Sequence, residues 1–241
     1  FWIHFFGFAQ ADGHLTEHTR NRGSLQIELQ SLDKWILSQF KKFITVNSSL
    51  TTRIRDTNFK KNYASVCLAI HDYSFRQQLI QLGLPTGKKS RIVQLPTQPY
   101  SERDYFRGLI DGDGSLGLTK KNFPFLSFTT KSDGMKQAFL DFIFKTTGLV
   151  KINNRNSRDD IYNIVIYKEA AQQVVDILYY KKCLALPRKV CEAKKVMAWV
   201  RPQNMQKITF SRKRWEEEED IYIMNNSITD SVTFLQRTEK S

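Results

Sequence analysis

The sequence predicts an α+β fold made of one αββαββα unit used twice in tandem, with a small helical extension at the C-terminal end. Three observations predict it. A short pattern recurs, FFGFAQADG at 5–13 and FRGLIDGDG at 106–114, and puts Asp12 and Asp113 at equivalent points. Each copy is followed by runs of alternating apolar and polar residues, the period of a strand with one buried face. Amphipathic helical runs then follow in the same order in both halves. The expected divisions are 1–98 for the first half, 99–200 for the second, and 201–241 for a linker and extension.

In the first half, His14–Arg20 and Ser24–Gln30 read as strands joined by the turn signal Asn21-Arg22-Gly23. Leu25, Ile27 and Leu29 alternate with Gln26, Glu28 and Gln30. Leu32–Ile44 reads as an amphipathic helix with Trp35, Ile36 and Phe40 on one face. Thr51–Arg55 and Tyr63–His71 form a second strand pair, and Ser74–Leu82 a helix stopped at Gly83. The second half repeats this. Ser115–Lys121 and Phe125–Thr130 make a hairpin, and Met135–Thr146 a helix ended by Gly148. Val150–Arg155 and Tyr162–Tyr167 are the next strand pair, and Glu169–Tyr179 the closing helix.

Composition narrows the function. The 241 residues, 41% of them hydrophobic, are ample for one large core or two small ones. The net charge is +13, which divides as +7 over 1–100, +8 over 101–210 and −2 over 211–241. Both halves are therefore basic, as a polyanion-binding chain requires. Cys67, Cys183 and Cys191 form no C-x-x-C, so a structural zinc site is not expected, and unpaired thiols point to a reducing compartment. No apolar run reaches membrane-spanning length and no leader pattern is present, so no membrane partner is expected. The motif begins almost at Phe1, which is not an initiator, so residues are expected before it.

The motif has its own physics. Gly7 and Ala11, like Gly108 and Gly112, are four apart and give each helix a face of very small residues. Such faces let two helix backbones approach closely. Gly13 and Gly114 are expected to end the helices in the left-handed conformation. Asp12 and Asp113 then sit at helix C-termini, where a carboxylate is disfavoured by about 0.3–1 kcal/mol. Two such acids brought together repel each other and attract a cation. Asp111–Ser115 lacks the later positions of a calcium loop.

With these residues in place the pair of motifs resembles the LAGLIDADG motif of homing endonucleases, the second copy most closely. The resemblance covers roughly 1–200. It implies a monomer with pseudo-twofold symmetry, motif helices at the centre and two antiparallel sheets forming a saddle over DNA. It implies site-specific cleavage of both strands of a long, asymmetric target. Asp12 and Asp113, aided by the carbonyls of Ala11 and Gly112, would hold Mg²⁺ or Mn²⁺, with Ca²⁺ supporting binding but not cleavage. Gln10 stands where many members carry an acid, but that position is not the metal ligand. Lys89 and Lys189, in the matching stretches Gly87–Ser90 and Pro187–Val190, would stabilise charge at the cleaved phosphate, with Lys88 as the alternative to Lys89.

The polar strand faces are the expected DNA readers, because Arg, Gln and Asn make bidentate contacts to base edges in the major groove. In the first half these are His14, Thr16, His18, Arg20, Arg22, Gln26, Glu28, Gln30, Arg53 and Arg55. In the second they are Ser115, Thr119, Lys121, Ser127, Thr129, Asn153, Arg155, Asn163 and Tyr167. In the tail, Arg212 and Arg214 precede Trp215 and an acidic helix start, a segment that resembles part of a Myb/SANT-type DNA-binding module. The competing reading on the same fold is a non-catalytic binder, an RNA maturase or transcriptional regulator; retention of both aspartates favours the nuclease. A bacterial or phage-infected cytoplasm, or an organelle in a eukaryote, is the expected location, with a mobile intron as one setting for the gene.

Overall fold

The computed structural model describes residues 1–56, 61–203 and 205. Phe1–Trp199 form one compact unit and Val200–Ser241 a second, of which only 200–203 and 205 are described. Arg212, Arg214 and the expected helical extension lie outside the described residues.

The first half runs α1 (Trp2–Asp12), β1 (Gly13–Glu17), β2 (Gly23–Gln30), α2 (Lys34–Phe43), β3 (Ser48–Arg55), β4 (Tyr63–Ile70) and α3 (Tyr73–Gln81). The second runs α4 (Glu102–Asp113), β5 (Gly114–Leu118), β6 (Pro124–Thr130), α5 (Asp133–Thr147), β7 (Tyr162–Tyr167), α6 (Lys168–Leu178) and α7 (Pro187–Met197). Both sheets are antiparallel, ordered β1-β2-β4-β3 and β5-β6-β7. The α+β class and the two antiparallel sheets expected from the sequence are thus the observed architecture, although the second sheet has three strands rather than four.

Helix α1 is apolar on nearly every side and α4 is closed over its last two turns, so both belong inside the protein. His4–Gln10 and Tyr105–Asp111 are fully buried stretches, and the two helices pack on each other along their length. On the first sheet, Leu25, Ile27, Val66, Leu68 and Ile70 meet α2 through Ile36, Leu37 and Phe40. On the second, Leu126, Phe128, Ile164 and Ile166 meet Phe139, Ile143, Val174 and Val175 of α5 and α6. Register leaves one polar face on each sheet. Gln26, Glu28 and Gln30 lie opposite Ala69, Cys67 and Ser65, and Thr51 and Arg53 share that face. Ser115 lies opposite Ser127, and Thr129 opposite Asn163.

Local signals set the helix ends. Asp72 caps α3 by accepting the Phe75 N–H at 2.7 Å, and Ser132 caps α5 through the Met135 N–H at 3.1 Å. Gly148 closes α5 in the left-handed region, φ 68°.

Two expectations are corrected. Gly13 and Gly114 are extended rather than left-handed, with φ of −77° and −90°. The chain leaves each helix directly into a strand, and glycine is needed for room: a Cβ on Gly13 would lie 2.5 Å from Ala9 O, and one on Gly114 2.7 Å from Ile110 Cα. Val150–Arg155 forms no strand. Arg155 is drawn instead to Asp133 and Asp160, and Asn153 Nδ2 donates to Asn163 O at 3.0 Å, so side-chain bonds replace a ladder. The Lys189 segment is helical. Pro187 opens helix α7, with its fixed φ suited to the first helical position, and Lys189 lies in the first turn.

Candidate metal and DNA site

The two motif helices end side by side. A Cβ placed on Gly112 would meet the Ala11 methyl and would lie 3.4 Å from Asp12 Oδ2, so the carboxylate of one half rests against the main chain of the other. Asp12 and Asp113 keep exposed surface, but protein from both halves crowds them and thins their hydration. Desolvation raises the Asp12 carboxyl to about 6, with repulsion from Asp113 the second cause; desolvation raises Asp113 as well. Both are opposed by Lys89 and Lys189.

The lysines have a use that the sequence did not reveal. Lys89 Nζ donates to Ala9 O at 2.8 Å and to Gly13 O. Lys189 Nζ donates to Ile110 O and, at 2.5 Å, to Gly114 O. Each ammonium therefore caps the C-terminus of its own motif helix, where orphan carbonyls and the helix dipole favour a cation. Burial pushes each lysine down to about 8, the nearby acids acting in the other direction. Lys88, the alternative to Lys89, is exposed.

A cavity of about 240 Å³ opens beside Asp113. It is lined by Asp113, Lys89, Gln10 and Lys131, among others. Lys131, at the end of β6, was not singled out from sequence; its only signal is that it lies 101 residues from Gln30, the same offset that relates the two aspartates.

The oxygen-rich donor set suits a hard divalent cation. The two carboxylates lie close enough to repel each other, and Asp12 and the Ala11 methyl face Gly112. Among the described residues no three His, Cys, Asp or Glu side chains form a metal cluster. The protein alone thus offers a partial shell, which fits Mg²⁺, an ion usually bound by one or two carboxylates, water and substrate phosphate.

The expected readers are placed differently by the fold. His14, Gln26, Gln30, Arg53, Ser115, Ser127, Thr129, Asn163 and Tyr167 lie on the polar strand faces. Glu28 lies there too, but accepts from Arg53 (3.2 Å), Arg55 (2.8 Å) and Ser65 (2.6 Å), so it organises these arginines. Thr16 is tied to Ser24, and Thr119 accepts the Phe123 N–H in the β5–β6 turn. His18, Arg20, Arg22 and Lys121 are exposed in the hairpin turns, while Asn153 and Arg155 are held by the loop contacts described above.

These carboxylates make stability depend on pH. Asp12 holds its proton up to about 6 in the folded protein against 3.8 as its ordinary value. Between those values the folded state binds more protons, so this group's contribution falls as pH rises from about 4 to about 6. The lysines act in a separate window. Between about 8 and 10.5 the unfolded chain keeps protons that the folded protein has lost, and their contribution rises with pH. In EDTA, the melting temperature of Asp12→Asn should gain on the wild type between pH 4 and 6 and then hold its lead. A difference that ignores pH contradicts the coupling.

No protein-family model matches the sequence, and no curated protein does. Solved structures do. The meganuclease I-SmaMI bound to uncleaveable DNA matches over 81% of this chain and 88% of its own, at 10% identity and a TM-score of 0.50. The LAGLIDADG homing endonuclease I-GzeII, in complex with its DNA target, matches over 81% and 88% at 13% identity and a TM-score of 0.52. Mesophilic variants of the homing endonuclease I-DmoI match over 80% and 95%, also at 13% and 0.52. The chain has the fold of the LAGLIDADG homing endonucleases.

Proposed function

We propose that this protein is a site-specific, divalent-metal-dependent DNA endonuclease that acts as a monomer on a long asymmetric duplex target. The observation that supports this most is the pair of motif carboxylates held together where α1 and α4 end, flanked by two basic lysines and by one polar sheet face from each half. Burial, and then repulsion from Asp113, raise the Asp12 carboxyl to about 6, an unfavourable arrangement that a bound cation would relieve.

In the mechanism, Asp12 and Asp113, with the carbonyls of Ala11 and Gly112, would hold Mg²⁺ or Mn²⁺. The metal, once bound, supplies activation of water and stabilisation of the attacking and leaving oxygens. The chain's own groups do the rest. The aspartates stay ionised because cations neutralise them, and the lysines sit where negative charge grows on the phosphate. The sheets fix the register of the duplex, through phosphate contacts for affinity and side chains on base edges for sequence. The C-terminal extension would lengthen the contacted site.

The reading is tested with plasmid libraries carrying random sites, incubated with the protein in Mg²⁺, Ca²⁺ or EDTA. Linearisation at one family of sites in Mg²⁺, and binding without cutting in Ca²⁺, is the expected result. Selective binding with no cutting in Mg²⁺ or Mn²⁺ would leave a nucleic-acid binder.

Replacing Lys89 or Lys189 by Ala should affect both stability and rate. Each loss uncaps a helix, at a cost of about 1–2 kcal/mol. Single-turnover cleavage should slow by more than affinity falls, because the charge these lysines address develops in the transition state. If affinity for all sequences drops equally and the rate on bound DNA does not, they are plain phosphate contacts.

A further inference from the structure

The residue two places before each motif aspartate is buried and fully engaged. Gln10 is 3% exposed and Asp111 0%. They occupy equivalent positions in the two helices but bond in opposite senses. The Gln10 amide donates to Gly83 O at 3.1 Å and Gln94 O at 3.0 Å, and its oxygen accepts from the Tyr105 hydroxyl. Gly83 and Gln94 bracket the stretch that carries Lys89, within which the Ile92 and Val93 N–H groups bond back to Lys89 O at 2.9 and 3.0 Å. Asp111 only accepts: from Leu186 N–H at 3.0 Å, Tyr179 OH at 2.8 Å and His4 Nε2 at 2.9 Å. Leu186 is the N-cap of α7, and its carbonyl takes the Lys189 N–H at 2.9 Å.

The difference between the two residues follows from their targets. Carbonyls require a donor, so position 10 carries an amide; N–H and O–H groups require acceptors, so position 111 carries a carboxylate. Each side chain thereby ties a lysine-bearing segment to its own motif helix. Gln10 also lines the cavity that holds Lys89 and Asp113.

We propose that Gln10 and Asp111 are positioning residues, each fixing the lysine of its own half, so that each governs cleavage of one DNA strand. The inference rests on the endonuclease reading. A lysine displaced by about 1 Å loses on the order of a hundredfold in rate, whereas its partner in the other half keeps its place.

The test uses full-length protein and a cleavable target labelled differently on its two strands, under single turnover in Mg²⁺. Gln10→Met, of similar volume but without a donor, should slow one strand by roughly ten- to a hundredfold. The near-isosteric Asp111→Asn should slow the other, and nicked circles should accumulate with each variant while affinity stays unchanged. The unaffected strand reports folding within the same molecule, and Gln10→Asn is the milder variant should Gln10→Met not fold. In a Lys89→Ala background Gln10→Met should cost nothing more, because residues that act through one group are not additive. Equal slowing of both strands by a variant that melts like the wild type, or a full additive cost in that background, overturns the inference while the endonuclease reading stands. A wild-type protein that binds its site and nicks neither strand overturns that reading, and this inference with it.

Discussion

Asp12→Asn and Asp113→Asn should each abolish double-strand cleavage, with a loss of about three orders of magnitude or more in rate. Asn keeps the shape but removes the charge that holds a divalent ion. Specific affinity should stay within about tenfold, because neither residue reads a base. The same substitutions should raise the melting temperature at neutral pH. Each wild-type acid is desolvated and held near a like charge, so the ionised pair destabilises the fold, and Asn removes that conflict. Gain of stability with loss of cleavage is the pattern of a site kept strained for chemistry. Strand-resolved cleavage and thermal melts on the same preparations decide it. A double variant that still cuts its site ends the assignment, and a lower melting temperature ends the electrostatic account.

The second large effect is on folding. Gly7→Ala and Gly108→Ala should destabilise the protein although alanine is the better helix former. Propensity favours alanine by about 1 kcal/mol. Against this, a Cβ on Gly108 would run into His4 O and lie 2.8 Å from Phe8 N, and one on Gly7 would run into Tyr105 O, with Leu109 N at 3.3 Å. The obstacles are main-chain atoms of the facing helix, which cannot rotate away. Forcing α1 and α4 apart costs about 1–3 kcal/mol per site or more, and it also separates the two carboxylates. Urea denaturation should show the midpoint falling for both variants. Gly148→Ala, in open space but at φ 68°, should cost only the backbone strain of about 1–2 kcal/mol. An unchanged or raised midpoint for Gly7→Ala and Gly108→Ala would mean that the helix interface is looser than these distances show.

The sequence by itself determined the duplication, the α+β class, most elements, and the equivalent places of Asp12 and Asp113 at the ends of the motif helices. These rest on local information: the 3.6 and 2.0 periods, caps such as Asp72 and Ser132, and a motif whose two copies carry the same chemistry at the same point. The polar strand faces were legible for the same reason, since alternation alone assigns Gln26, Glu28 and Gln30 to one side.

Only the tertiary structure decided the rest. Val150–Arg155 alternates like a strand, but whether a strand forms depends on partners distant in sequence, and Asp133 and Asp160 claim Arg155 first. Lys89 and Lys189 read as free basic residues because nothing near them in sequence shows that Ala9, Gly13, Ile110 and Gly114 offer carbonyls to their ammonium groups. Gln10 and Asp111 looked like a tolerated variation at one motif position, until their partners proved to be carbonyls in one half and donors in the other. A hydrogen bond depends on both of its members, and the sequence near each residue names only one of them.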